Sequence, residues 1–185
     1  MLKRTAVAAL LGIALGLAAR LVDDLALRWV GNVGALWFLI AFVVGRLSRR
    51  RAYGARLGAA CLATAAFTYY LWRVVVDGTI STGYLVTVGV FWFVAAFVSG
   101  AIAGWFGARS HRSVHLWGIP AGVFVGEAIS VAILSKRWIQ VAAELCVAIV
   151  CFAAARRAPR TALTVMLFSA IPTFVIALIY RSFLA

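Results

Sequence analysis

The residues of this chain with the clearest potential for chemistry are its acids, because they lie within or beside long apolar runs. The chain has five acidic residues: Asp23, Asp24, Asp77, Glu127 and Glu144. An ionisable side chain in lipid hydrocarbon costs at least about 2.5–3.5 kcal/mol, so it must be paired, neutral or in contact with water. Glu127 and Glu144 interrupt apolar runs and are therefore the first candidates for an intramembrane polar site.

Two arginines match the depth predicted for Glu144, which lies about 9 Å below the outer boundary by helix rise. Arg20 and Arg73 lie about 22–24 Å from the inner boundary of a layer about 30 Å thick. We predict an ion pair between Glu144 and Arg20 or Arg73 within an outward polar cavity. Asp77, one turn after Arg73, can also form a weak local pair with it. Glu127, about 16 Å deep, has no obvious cation; it is either functional or a protonated carboxyl that is hydrogen-bonded to a neighbouring helix.

Four more polar residues near the predicted outer face are secondary candidates: Asp23, Asp24, Tyr69 and Tyr70. The aspartates and their neighbouring arginines can equally form an ordinary interfacial cluster in which the arginines reach towards water. Tyrosine is typical of membrane interfaces, where it anchors helices, and the tyrosine pair can also line an outer cavity.

Motifs for catalysis or metal binding are not found. His111 and His115 have the i, i+4 spacing of two ligands on one helix face, but no acid or cysteine lies beside them in sequence. The chain has no P-loop, no H-E-x-x-H and no G-x-S-x-G elbow, so neither an enzyme nor a cofactor is predicted. The three cysteines lie in apolar runs without C-x-x-C spacing and are interpreted as small core residues.

The elements that must position these residues are transmembrane helices. The chain is 65% hydrophobic and 12% charged, with mean hydropathy +1.05, whereas soluble domains are about 45–50% apolar and about 25% charged. A net charge of +13 can suggest nucleic acid, but the cations cluster between apolar runs, as membrane topology signals do. The sequence predicts an all-α polytopic bundle with the bilayer as its first partner and no nucleic acid.

Seven runs are long enough to consider as spans of a single membrane domain, since about 20 apolar residues cross the hydrocarbon layer. The predicted spans are about 5–22, 30–47, 57–76, 85–106, 116–134, 141–155 and 161–180. The sixth is the shortest. Lys3 and Arg4 before the first run also resemble a secretory signal, although the run is longer than a usual signal core. We interpret it as a retained span.

Cations alternate in number between successive connecting segments. Twelve lie on the side of the amino terminus and six on the other. The positive-inside rule then predicts a protein of the cell membrane with a cytoplasmic amino terminus and an external carboxyl terminus.

Spans two and four contain similar sequences. Residues 34–45 and 89–100 are identical at seven of twelve positions without a gap, which predicts a duplicated two-helix hairpin. Small residues let helix backbones approach closely, so we interpret the repeated residues and a glycine row in span five as packing positions. These positions are Gly34, Trp37 and Gly45; Gly89, Trp92 and Gly100; and Gly118, Gly122 and Gly126.

Two segments carry a resemblance to known proteins. Gly31-Asn32-Val-Gly34-Ala35-Leu36-Trp37 running into Ala41-Phe42-Val43-Val44-Gly45, with Gly122-Val-Phe-Val-Gly126-Glu127-Ala128, resembles small actinobacterial multi-pass membrane proteins of a family of unknown function. That family implies no substrate or reaction. At fold level, the chain is also similar to substrate-binding membrane subunits of energy-coupling-factor transporters, although those usually have six spans.

Two functional hypotheses follow. The first is a small transporter-like or solute-binding membrane component, with Glu127, Glu144, Arg20 and Arg73 around a cavity for a small-molecule ligand. The second is a non-catalytic scaffold or subunit whose glycine rows bind a membrane partner protein or another copy of the chain. An intramembrane enzyme ranks third, because no nucleophile, base and oxyanion donors can be assembled.

Overall fold

The computed structural model describes residues 2–25, 29 and 33–184, and these residues form helices and turns without a strand. Their seven principal helices are α1 (Leu2–Asp23), α2 (Gly34–Gly45), α3 (Arg51–Val75), α4 (Thr82–Arg109), α5 (Gly118–Leu134), α6 (Trp138–Ala154) and α7 (Pro159–Leu184). A π-helical segment, Leu85–Gly89, lies within α4, and a short 3₁₀ helix, Val114–Trp117, precedes α5. The predicted all-α fold is confirmed.

The contacts divide the chain into two compact units, and the single membrane domain stays a prediction. The first unit contains residues up to Asn32 together with Trp37–Arg109, and the second contains Val33–Leu36 and the residues from Ser110 onward. Residues 30–32, which the second predicted span includes, lie outside the described residues, and the helix there begins at Gly34. Gly31 and Asn32, which are part of the family resemblance, therefore also lie outside the described residues.

In the first unit, α3 is the central helix, and glycines hold its neighbours against it. A Cβ at Gly12 of α1 would overlap the backbone carbonyl of Cys61, and one at Gly58 would overlap that of Gly100 on α4. A Cβ at Gly104 would likewise overlap the carbonyl oxygen of Gly54. Backbones approach this closely only where side chains are small, so these glycines determine where the helices cross.

In the second unit, α5 packs against both α6 and α7, and its glycine row forms the contact with α7. Side chains at Gly118, Gly122 and Gly126 would overlap the backbone of α7 at Ala162, Met166 and Ala170 respectively. The hydroxyl of Ser169 on α7 also donates a hydrogen bond to the Ile119 carbonyl, 3.2 Å away. The row therefore lies in a close helix crossing.

Within the described part of the chain, four segments are long and apolar enough to cross a membrane: Leu2–Asp23, Thr82–Arg109, Val114–Leu134 and Pro159–Ile179. The apolar helices α2 and α6 are shorter, with 12 and 17 residues. With 25 residues, α3 is long enough to cross, but as the buried helix of its unit it is rich in alanine and glycine and less hydropathic. The structure thus supports a membrane protein with four clear spans, and seven crossings stay a prediction.

Alanine is the commonest residue of the buried interior, and many large apolar side chains are exposed. Alanines such as Ala41, Ala65 and Ala103 are fully buried, whereas Ile139 is 79% and Phe168 is 72% exposed. A surface with so much exposed apolar area is expected to contact lipid, because a soluble monomer keeps such patches small.

The two similar segments occupy different surroundings. Gly45 packs against Gly104, and Gly100 packs against Gly58, so both closing glycines lie at helix crossings but with different partners. Gly34 lies beside Glu127, whereas Gly89 lies near Leu85 of its own helix. Trp37 and Trp92 are both half-buried. Duplication of a hairpin stays a prediction.

Candidate functional site

Glu127 lies on α5 with its carboxylate at the first residues of α2. Its Oε1 accepts a hydrogen bond from the Gly34 backbone N–H at 3.0 Å, and its Oε2 accepts one from the Ala35 N–H at 2.6 Å. The first N–H groups of an α-helix have no partner within the helix, and the helix dipole there favours negative charge. The carboxylate therefore satisfies two donors that the helix itself cannot, and the helix stabilises the charge.

The sequence did not identify these partners of Glu127. We expect either a functional acid without an obvious cation or a protonated carboxyl hydrogen-bonded to a neighbouring helix. The structure gives its carboxyl oxygens two backbone donors, 93 and 92 positions earlier in the chain, and whether the residue is functional or structural stays a prediction. No signal in the sequence identifies these donors, because every residue except proline carries the same backbone N–H group. Gly34 is sterically undemanding, since a Cβ there would lie 3.6 Å from Oε2.

Glu144 is buried on α6, and its carboxylate accepts a hydrogen bond from a side-chain amide. The Gln140 side chain, one turn earlier, donates a hydrogen bond from Nε2 to Glu144 Oε1 at 2.7 Å, and both side chains are buried. The i, i+4 spacing of these residues could have indicated this contact from sequence. Glu144 belongs to the second unit, and Arg20 and Arg73 belong to the first. An ion pair between Glu144 and either arginine stays a prediction.

Arg20 forms two ion pairs near the carboxyl end of α1. Its Nη1 lies 2.7 Å from Asp24 Oδ1, and its Nε forms a short hydrogen bond with Asp77 Oδ2. The side chains of Arg20 and Asp77 are 14% and 13% exposed, whereas that of Asp24 is 66% exposed. The sequence suggested Arg73 as the partner of Asp77; the structure corrects this, because the turn after α3 brings Asp77 to α1.

Arg73 contacts a tyrosine and a threonine. Its Nη1 donates to the Tyr69 hydroxyl at 3.4 Å, its Nε donates to Thr79 Oγ1 at 3.3 Å, and its guanidinium lies 5.9 Å from the centre of the Tyr69 ring. The Tyr69 hydroxyl in turn donates a short hydrogen bond to Asp23. Tyr70 packs edge-on against Tyr69, with ring centres 5.2 Å apart.

These contacts form what we call the polar cluster of the first unit. Its members are Arg20, Asp23, Asp24, Tyr69, Arg73, Asp77 and Thr79. Two arginines and three aspartates largely neutralise one another, and the contacts tie the end of α1 to the end of α3. The cluster unites two of the four primary candidates with three of the four secondary ones. A cavity shared by all four primary candidates stays a prediction.

His111 and His115 do not lie on a common helix. His111 lies in the turn that follows α4, and His115 lies in the 3₁₀ helix. Among the described residues, no three His, Cys, Asp or Glu side chains are close enough together to hold a metal ion.

Comparison with known proteins places the chain in a described family. A family described as a family of unknown function, DUF6518, matches residues 1–185. No curated protein and no solved structure matches the chain.

Proposed function

This chain belongs to the DUF6518 family of unknown function, and we propose that it is a multi-pass membrane protein that binds or moves a small solute without catalysis. The observation that carries the proposal is the pair of hydrogen bonds from the start of α2 to the Glu127 carboxylate. A helix end that is satisfied by an ionisable side chain can be released when that side chain binds a proton or a solute.

The length of α2 supports a position of this contact deep in the bilayer. Twelve residues rise about 18 Å, which is well short of a hydrocarbon layer about 30 Å thick. With its arginine-flanked end at the cytoplasmic surface, as the cation distribution favours, α2 begins near the bilayer centre. Counting along α5 gives a similar depth for Glu127, about 14 Å from Gly118. Helix ends at this depth are typical of transporter binding sites, where they contact the substrate.

The mechanism is competition for one carboxylate. While Glu127 is ionised and empty, it holds the amides of Gly34 and Ala35. A proton or cationic group on the carboxylate weakens its attraction for the positive end of the α2 dipole. Occupancy of Glu127 then changes the stability of the first turn of α2, which gives a small solute control over a helix end. The resemblance at fold level to substrate-binding membrane subunits of energy-coupling-factor transporters is part of this proposal, because those subunits also bind a substrate.

A membrane scaffold is the second candidate, and one observation favours it. The charges of Arg20, Asp24 and Asp77 compensate one another within one unit. Charges satisfied in this way can simply stabilise a bundle that binds a partner protein or another copy of itself.

A thermal stabilisation screen separates the two candidates. Purified protein in detergent is heated with a panel of amino acids, carboxylic acids, amines, vitamins and monovalent cations, over a range of pH. We expect at least one compound to raise the melting temperature of the wild type and to lose this effect in Glu127→Gln. Asp24→Asn, which removes an exposed acid from the first unit, is the matched control and should respond like the wild type. If no compound distinguishes a folded Glu127→Gln variant from the wild type, the scaffold is favoured.

The proposed topology has its own test. In a background in which Cys61, Cys146 and Cys151 are replaced by alanine, single cysteines are introduced as Arg137→Cys and Arg49→Cys. Both positions are exposed. A membrane-impermeant maleimide applied to intact cells should label position 137 and reach position 49 only after the membrane is permeabilised. The opposite pattern would reverse the orientation.

A further inference from the structure

A cavity of about 270 Å³ lies at the amino end of α1 in the first unit, whereas Glu127 belongs to the second unit. The cavity is lined by Lys3, Arg4, Val7 and Leu47. The lining therefore combines two cations with two apolar side chains, and Leu47 comes from the residues that follow α2. A site with this composition suits a ligand that has an anionic group joined to a hydrocarbon chain.

The structure holds one of the two cations in place. The Arg4 Nη1 donates a hydrogen bond to the Leu47 backbone carbonyl at 2.7 Å. Carbonyl groups at the end of a helix attract cations, because they carry the negative end of the helix dipole. A guanidinium has five N–H donors in a planar fork, so a contact with one carbonyl leaves it able to bind phosphate oxygens. Fixing the side chain in advance also lowers the entropy cost of binding.

The apolar side chains continue the cavity towards the predicted hydrocarbon. Val7 lies three residues after Arg4, so the two share a face of α1, with Val7 about one turn further from the cationic end. Val7 and Leu47 are 48% and 46% exposed. This order, cations first and apolar groups one turn deeper, matches the order of a phosphate headgroup and its acyl chain.

The surrounding sequence is strongly basic and has no acid nearby. Arg46, Arg49, Arg50 and Arg51 flank Leu47, and no aspartate or glutamate occurs in residues 1–22 or 25–76. Basic residues beside a membrane span attract the anionic lipids of the cytoplasmic leaflet. These basic surroundings favour a negatively charged ligand.

We propose that this cavity binds one anionic glycerophospholipid. Its phosphate lies between the Lys3 ammonium and the Arg4 guanidinium, and one acyl chain lies along Val7 and Leu47. The bound lipid then contacts both α1 and the residues after α2. This inference does not depend on the proposed role of Glu127.

Native mass spectrometry of the full-length protein in detergent tests the proposal. The protein is titrated with phosphatidylglycerol, with phosphatidylcholine of the same acyl chains, and with inorganic phosphate. We expect one phosphatidylglycerol to bind in clear preference to phosphatidylcholine. Lys3→Gln/Arg4→Gln should weaken that binding about 30-fold, since each cation near a membrane surface contributes about five-fold. Inorganic phosphate at the same concentration should not displace the lipid.

Two variants distinguish this cavity from general charge attraction. Arg156→Gln/Arg157→Gln removes two exposed cations of the second unit that do not line the cavity, and it should change binding by less than about three-fold. Val7→Trp keeps every charge but fills the cavity, and it should weaken lipid binding about ten-fold; it also provides the test if the Lys3/Arg4 variant does not fold. Equal losses in the two charge variants, no effect of Val7→Trp, or equal binding of both lipids would overturn the proposal. Displacement by inorganic phosphate would identify a free anion site instead.

Discussion

Replacing Glu127 by alanine removes the acceptor for two backbone donors at the start of α2, and we expect it to lower the free energy of unfolding by about 2–3 kcal/mol. The larger part comes from Ala35, which is 1% exposed and whose N–H lies 2.6 Å from the carboxylate. A buried donor left without an acceptor costs about 1–3 kcal/mol. Gly34 is exposed, and water in the proposed solute cavity can replace the carboxylate as its acceptor, so it adds less. Loss of the negative charge at the helix end adds about 0.3–1 kcal/mol.

The assay is reversible unfolding in mixed micelles, followed by tryptophan fluorescence, together with amide hydrogen exchange. Glu127→Gln retains one carbonyl acceptor, so we expect it to lose about half as much stability as Glu127→Ala. In the alanine variant, the Ala35 amide should exchange at least about ten-fold faster, because about 1.4 kcal/mol corresponds to a factor of ten in the opening equilibrium.

The control is Ile129→Ala on the same helix. Ile129 is 43% exposed, so its truncation should leave exchange at Ala35 unchanged and lower stability by no more than about 1 kcal/mol. The reasoning would be refuted if Glu127→Ala unfolded within about 0.5 kcal/mol of the wild type and its Ala35 amide exchanged at the wild-type rate.

Two further predictions concern the first unit. Gly104→Ala should destabilise the protein by about 1–3 kcal/mol, because the new methyl group would overlap the Gly54 backbone. Gly83→Ala is the control: its Cβ would contact only a serine hydroxyl at 3.8 Å, so its thermal stability should be unchanged or slightly raised. Equal melting temperatures for the two variants would contradict the packing argument. A double-mutant cycle of Arg20→Gln with Asp77→Asn should give a larger coupling energy than the cycle of Arg20→Gln with Asp24→Asn, because Asp77 is shielded from solvent and Asp24 is exposed. A larger coupling energy with Asp24 would contradict the assigned pairing.

Several features of this protein follow from the sequence alone because they depend on residues close together in the chain. A backbone in lipid must satisfy its own hydrogen bonds, so long apolar runs can only form helices. Every predicted span accordingly corresponds to a helix in the described part of the chain. Glycines at four-residue spacing lie on one helix face, so Gly118, Gly122 and Gly126 had to form a common contact strip.

Tertiary structure decided the partners of the charged residues. Helix rise gave the depth of Glu127, but depth alone cannot name a donor more than 90 residues away. Arg20 was matched by depth to Glu144, yet its partner Asp77, 57 residues along the chain, reaches it through a turn. A side chain finds its partner by distance in three dimensions, and helix order along the chain leaves the choice among neighbours open.

The acidic residues of the chain have different kinds of partner in the structure. Sequence determined that they had to be satisfied, since a lone charge in hydrocarbon is too costly. Packing determined the partners: the amino end of α2 for Glu127, Gln140 of the same helix for the Oε1 of Glu144, and Arg20 for Asp77. A hydropathy value is averaged over a window of neighbouring residues, so it reports only the cost of placing each charge in hydrocarbon. The contacts that offset the cost arise from the close approach of helices, which depends on the shape of every side chain between them.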